Sequence, residues 1–169
     1  MVDIDSRNAR EYAAKASDER PLRGYAVAVG AFAAAAGAVA GLARLAGRPL
    51  PTRPAAADLA LLTLATHKIS RLLTKDAVTS PLRAPFARFE APAGEAELIE
   101  SPRGHGVRHA VGELVTCPFC TDVWVASGLA AGLVFAPRVT RFGMGVAAAV
   151  AGSDFLHLAY DAAKKAASG

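Results

Sequence analysis

The most chemically specific run in the chain is Cys117-Pro-Phe-Cys120, and it holds the only two cysteines among 169 residues. A cysteine at the start of a helix meets unpaired N–H groups and the positive end of the helix dipole. Both favour the thiolate, the form that attacks electrophiles and binds metals. In the cytoplasm thiols are kept reduced, so there the pair reads as a metal or redox site and not as a permanent disulfide. Upstream, His105, His109, Glu113 and Cys117 recur every four positions. If helical, residues 105–117 would place them near one face. His105, His109, Cys117 and Cys120 together offer four zinc donors with spacings used in structural zinc sites. The competing reading is two solvated histidines beside a polar membrane edge, because Gly104, Gly106 and Gly112 interrupt a helix there.

A second polar group lies in an apolar setting. Asp154 and His157 are three apart in the otherwise apolar residues 142–160. Ionisable groups inside a bilayer are costly and often functional. The pair could relay a proton or bind a cation with Asp58 or His67, as in a small transporter subunit. Hydrogen bonding to another helix is the structural alternative. The Cys-Pro-Phe-Cys tetrad also resembles the redox motif of glutaredoxins. There the tetrad follows a strand in a βαβ pattern, whereas here the residues after it form an apolar helix. The chain carries no P-loop, no Gly-x-Ser-x-Gly elbow, no dinucleotide fingerprint and no His-Glu-x-x-His site. The expectation is a protein without enzymatic activity.

The elements that must position these groups are helices. Apolar residues make up 53% of the chain, charged residues 20%, and the mean hydropathy is +0.28. Much of the apolar content is alanine, which is nearly neutral between water and lipid, so individual segments must decide. Residues 24–43 carry no charge. Twenty helical residues span roughly 30 Å, the thickness of a bilayer core. Tyr25 and Arg44 flank the stretch as interface anchors would, and no polar face exists to show water. The first membrane helix is placed at 24–46, after a polar tail at 1–23 whose residues 5–20 could form a surface helix. A second, weaker span is read at 55–74, where Lys68 and Arg71 could snorkel to one interface. Residues 75–115 read as a long polar connection: 80–90 suit a lipid surface, and 91–103 suit a mobile excursion rich in Pro, Gly and Glu. A third helix follows at 118–136, with Pro118 at its first position; Pro137 ends it. A fourth occupies 142–160, and 163–169 is a tail. The fold class expected is all-α, a small integral membrane bundle of about four membrane-associated helices. Gly37/Gly41 and Gly128/Gly132 are small-residue pairs that would admit a close helical neighbour.

Charge sets the orientation. With a cytoplasmic N-terminus and four crossings, the outside holds only Arg44, Arg48, Arg53, Arg138 and Arg141 of the 19 basic residues. That is the direction of the positive-inside bias. It places both termini and the cysteine pair on the cytoplasmic side of the cell membrane. The net charge of +4 suits an anionic membrane surface; no nucleic-acid motif accompanies it, so no nucleic-acid partner is expected.

Three stretches together resemble an uncharacterised bacterial membrane-protein family, domain of unknown function thirteen-sixty, some of whose members are labelled sporulation proteins. They are Arg71-Leu-Leu-Thr-x-Asp76, Ser80-Pro-Leu-Arg83 and Glu113-Leu-Val-Thr-Cys-Pro-Phe-Cys-x-x-x-Trp124. The likeness covers roughly residues 56–162, within a family-like domain at 55–162. It implies a small multi-pass membrane protein with no assigned activity. It groups Arg71, Asp76 and Arg83 with Glu113, Trp124 and the cysteines at the cytoplasmic edge. A buried Arg–carboxylate network and an anionic ligand held by Arg71 and Arg83 are both open at this point. His105 and His109 are not part of the resemblance. The function expected is that of a membrane scaffold or interaction protein, with the bilayer, a second copy or another membrane protein as partner. The alternative is a metal-binding or thiol-redox membrane protein.

Overall fold

A computed structural model describes residues 20–48, 50–51, 53–94 and 96–168. The polar helix expected over residues 5–20 lies almost wholly outside them. Among the described residues are six α-helices: α1 (Leu22–Leu45), α2 (Ala56–Thr74), α3 (Ser80–Arg83), α4 (Val107–Thr116), α5 (Pro118–Phe135) and α6 (Pro137–Ser168). A 3₁₀ turn, Ala77–Thr79, precedes α3, and two strands, β1 (Ala87–Pro92) and β2 (Leu98–Pro102), stand between α3 and α4.

The ends of these helices follow local chemistry. Gly47 is left-handed, with φ 64°. Its N–H donates to the Arg44 carbonyl and the Arg48 N–H to the Ala43 carbonyl, at 3.1 and 2.8 Å. This Schellman arrangement closes α1 with a residue that lacks a Cβ. Cys117 is the single extended residue between α4 and α5, with φ −110° and ψ 110°. Pro118 then opens α5 where a missing N–H is harmless.

Two expectations are corrected. Pro137 does not only end α5; it also occupies the first position of α6, which runs 32 residues to Ser168 and not from 142 to 160. Proline suits both roles, because it cannot extend the preceding helix and is preset for the next. The second correction concerns the fold class. The protein is mainly helical, as expected, but the connection at 75–115 is folded and adds a small two-stranded sheet, so the fold is not all-α. β1 and β2 pair antiparallel, with Phe89 opposite Glu100 and Ala91 opposite Ile99. The register shift between Phe89 and Ala91 breaks the two-residue alternation that would have marked a strand. The turn uses Gly94 (φ 131°) and Ala96 (φ 63°). Its end is tied to the residues after α2 by Ala77 N–H to the Ala96 carbonyl, 2.8 Å, and Leu98 N–H to the Lys75 carbonyl, 2.9 Å.

The described residues fall into two compact units. The first holds residues 20–38 and 72–121, and Gly112 is its closest packing point. A Cβ there would lie 2.5 Å from the Phe86 carbonyl oxygen and 2.9 Å from Pro102 Cβ, so α4 can lie on the hairpin base only with glycine. Gly24 plays the same part between α1 and α4, 2.7 Å from Ala110 Cβ and from the Gly106 oxygen. The second unit holds residues 39–71 and 122–168. Its buried apolar side chains are Ala43, Ala65, Met144, Ala148 and Ala151. Gly132 admits Thr140 at the α5–α6 corner, at 2.6 Å from a built Cβ, whereas Gly128, Gly37 and Gly41 meet nothing within 4 Å.

Gly112→Ala should lower stability by about 1–3 kcal/mol by overpacking. Gly128→Ala, in open space on a helix, should be neutral or stabilising by a few tenths up to about 1 kcal/mol. Thermal unfolding of the two variants in the same detergent compares them directly; equal shifts would contradict the packing described.

Candidate functional site

The first unit is built around a guanidinium. Arg83 is 1% exposed. It comes from the last turn of α3, a helix of four residues held in place by the 3₁₀ turn before it. Its Nη1 donates to the Leu73 carbonyl at 3.0 Å and to Thr79 Oγ1 at 2.6 Å, its Nη2 donates to the Asp76 carbonyl at 3.1 Å, and its Nε donates to the Glu100 carboxylate. Thr79 Oγ1 in turn donates toward the carbonyls of Leu72 and Asp76. Arg83 thus satisfies one of the carbonyls that α2 leaves open at its C-terminus, that of Leu73, and joins the residues after α2 to β2. A buried charge is tolerable only when so surrounded. The guanidinium is committed inside the protein, so Arg83 belongs to a buried network and does not hold an external anion. Asp76 contributes its carbonyl to that network. Arg71 sits half-buried in the last turn of α2, in the other unit.

Glu113 is the second centre. It projects from α4 and takes a hydrogen bond from the Tyr25 hydroxyl of α1; Arg20 Nη1 reaches its other oxygen at 3.2 Å. His109, one turn earlier, places Nε2 3.6 Å from Glu113 Oε1 and Nδ1 3.3 Å from the Gly104 carbonyl oxygen. Cys117 follows α4 directly and is half-buried; Cys120 lies in the first turn of α5 and is exposed, and both thiols are free. His105 is exposed ahead of α4. No group of three or more His, Cys, Asp or Glu side chains that could hold a metal ion occurs among the described residues. The zinc set expected from His105, His109, Cys117 and Cys120 is not brought together: His109 is turned to Glu113 and Gly104, and residues 104–106 are not helical.

The second unit pairs its charges between α2 and α6. Arg141 grips Asp58 through Nε and one terminal nitrogen, both at 2.8 Å. Lys68 Nζ lies 2.9 Å from Asp154 Oδ2, and the His67 ring stacks on Phe155 with centroids 5.7 Å apart. Asp154 therefore pairs with Lys68 and not with His157, which is exposed on α6. Arg48, beyond α1, caps α5 by donating to the carbonyls of Val134 and Phe135. Trp124 is half-buried on α5.

These residues lie largely inside one matched stretch. Residues 61–160 match the family described as "Protein of unknown function (DUF1360)". The chain belongs to that family. The match begins inside α2, so α1, with Tyr25, precedes the DUF1360 region, as the sequence resemblance implied. This DUF1360 chain is similar to "Sporulation protein YjcA" of Bacillus subtilis (strain 168), 40% identical over 74 residues. That stretch is 42% of this chain and 63% of the relative, so less than two thirds of the relative is spanned. No solved structure matches.

Sequence reasoning missed Glu100 and the role of Lys68. Glu100 stands among the glutamates of a stretch that reads as mobile, and no local pattern sets it apart. Replacing Arg83 by Ala should lower stability by about 3–5 kcal/mol, since Glu100 is left buried without its cation. Arg83→Lys should recover less than half of that, because one ammonium cannot face carbonyls on both sides. If Arg83→Ala fails to accumulate, Glu100→Gln, which keeps the shape, serves in its place. Thermal unfolding in detergent reads each variant, and full recovery by lysine would contradict the network.

Proposed function

We propose that this DUF1360 protein is a multi-pass protein of the cell membrane with a scaffolding or interaction role and no catalytic one. The observation that carries the reading is the inverted distribution of apolar side chains. Three helices are long and apolar enough to cross a membrane: Leu22–Leu45, Pro118–Phe135 and Pro137–Ser168, with 6%, 0% and 17% of their apolar windows buried. Alanines fill the interior, while Val29, Leu45, Phe142 and Leu156 stand outward. In water that surface would drive aggregation; in lipid it is the expected one, with small residues between helices.

The fourth crossing in this reading is α2. Its charges weaken it as an independent span, and their pairing supports its insertion beside α6. Asp58 and Lys68 meet Arg141 and Asp154 in the same order along both helices. That order makes α2 and α6 parallel, as four alternating crossings require. The positive-inside bias then favours both termini, Glu113 and the cysteines on the cytoplasmic side. Within each unit charged groups are paired with groups of the same unit, which favours a structural role over chemistry. The open face of α1 at Gly37 and Gly41 suits a helix of a second copy or of another membrane protein. From the name of the B. subtilis relative we extend sporulation to this chain as the setting of that role.

The test is fractionation without a fusion partner. The protein should sediment with membranes, resist alkaline carbonate and dissolve only in detergent. Recovery in the high-speed supernatant would overturn the reading. On intact cells an impermeant maleimide should leave Cys120 unlabelled, and on inverted vesicles it should label it; the reverse pattern would invert the topology.

A further inference from the structure

The cysteine pair takes no part in the scaffold described above, yet its geometry is specific. Cys117 is the lone extended residue between α4 and α5. The Cys120 backbone N–H donates to Cys117 Sγ at 3.4 Å. Cys117 Sγ is therefore turned toward residue 120, one helical turn on. The turn is also stiff. Pro118 fixes the backbone between them, the Cys117 carbonyl accepts from the N–H groups of Cys120 and Thr121 at 3.2 and 3.1 Å, and Thr121 Oγ1 donates back to the Leu114 carbonyl at 2.6 Å. Both thiols are free, and Cys120 is exposed.

We propose that Cys117 and Cys120 are a modification site, closed reversibly into an intramolecular disulfide by exchange with a low-molecular-weight disulfide. Cys117 gives its proton to solvent and attacks one sulfur of the small disulfide; that S–S bond breaks and one small thiolate leaves. Cys120 then gives up its proton and attacks the Cys117 sulfur, and the second small thiolate leaves. The two thiolates take up the two protons. The protein loses two electrons and two protons, and the small disulfide becomes two thiols. The product ties the extended joint after α4 to the first turn of α5. The inference rests on the reading above for one thing only, that this joint lies in water at the membrane edge.

Incubation of the full chain in detergent micelles with oxidised glutathione tests it. The expected product is a monomer on a non-reducing gel, lighter by two hydrogens and without reactive thiols, and fully restored by dithiothreitol. Because the chain has only these two cysteines, that mass identifies the bond. Cys120→Ser should instead hold one glutathione on Cys117, and Cys117→Ser one on Cys120. A product carrying two glutathiones, a covalent dimer alone, or two thiols still free would overturn the proposal. Maleimide labelling of the untreated protein separates the two levels. Thiols that label only after denaturation would refute the aqueous placement; thiols that label readily but never join would refute the disulfide alone.

Discussion

A guanidinium out of reach of water must be met by acceptors from the protein, and at Arg83 that requirement organises the whole of the first unit. The side chain can be satisfied only if the end of α2, the turn at Thr79 and strand β2 converge on it together. Glu100 reaches it only when the hairpin is paired in the observed register, because Phe89 and Glu100 face each other there. The hairpin base in turn receives α4 only because residue 112 has no side chain. Local structure, packing and charge are thus one constraint seen at three levels. An isolated segment of this unit would have little reason to fold.

The second unit applies the same rule with fewer groups. Its interior is lined with alanine and one methionine, so helices come close without large side chains between them. Apolar burial of this kind gives little directional preference, and the register of α2 against α6 is set by Asp58 with Arg141 and Lys68 with Asp154. Within a membrane such pairs would discriminate strongly between registers, since a slip by one turn leaves four charges without partners. The capping of α5 by Arg48 closes another open helix end in the same manner.

Much of this was legible in the sequence, and the rest fails for identifiable reasons. The uncharged run after Arg23 and the Pro118 start located α1 and α5 to within two residues of their ends, because length and apolarity are local properties. The start of α6 was missed because Pro137 was given one role and has two. The hairpin was hidden by its bulge, by prolines at its ends and by glutamates that suggested solvation. Of the two centres, Arg83 and Glu113 stood out through spacing and family likeness. Their partners did not: Glu100 is 17 residues from Arg83, Tyr25 is 88 from Glu113, and no local pattern announces such pairings. Lys68, three residues before Arg71 on an apolar helix, reads by default as reaching for a lipid interface.

The account stands most directly on the coupling between Arg83 and Glu100. A double-mutant cycle with Arg83→Met and Glu100→Met, read by unfolding in one detergent, measures it. The predicted result is that each single change destabilises by about 3–5 kcal/mol while the double change, with no charge left buried, destabilises by less than either. Losses that simply add, with a coupling below about 0.3 kcal/mol, would contradict the central role given to this ion pair.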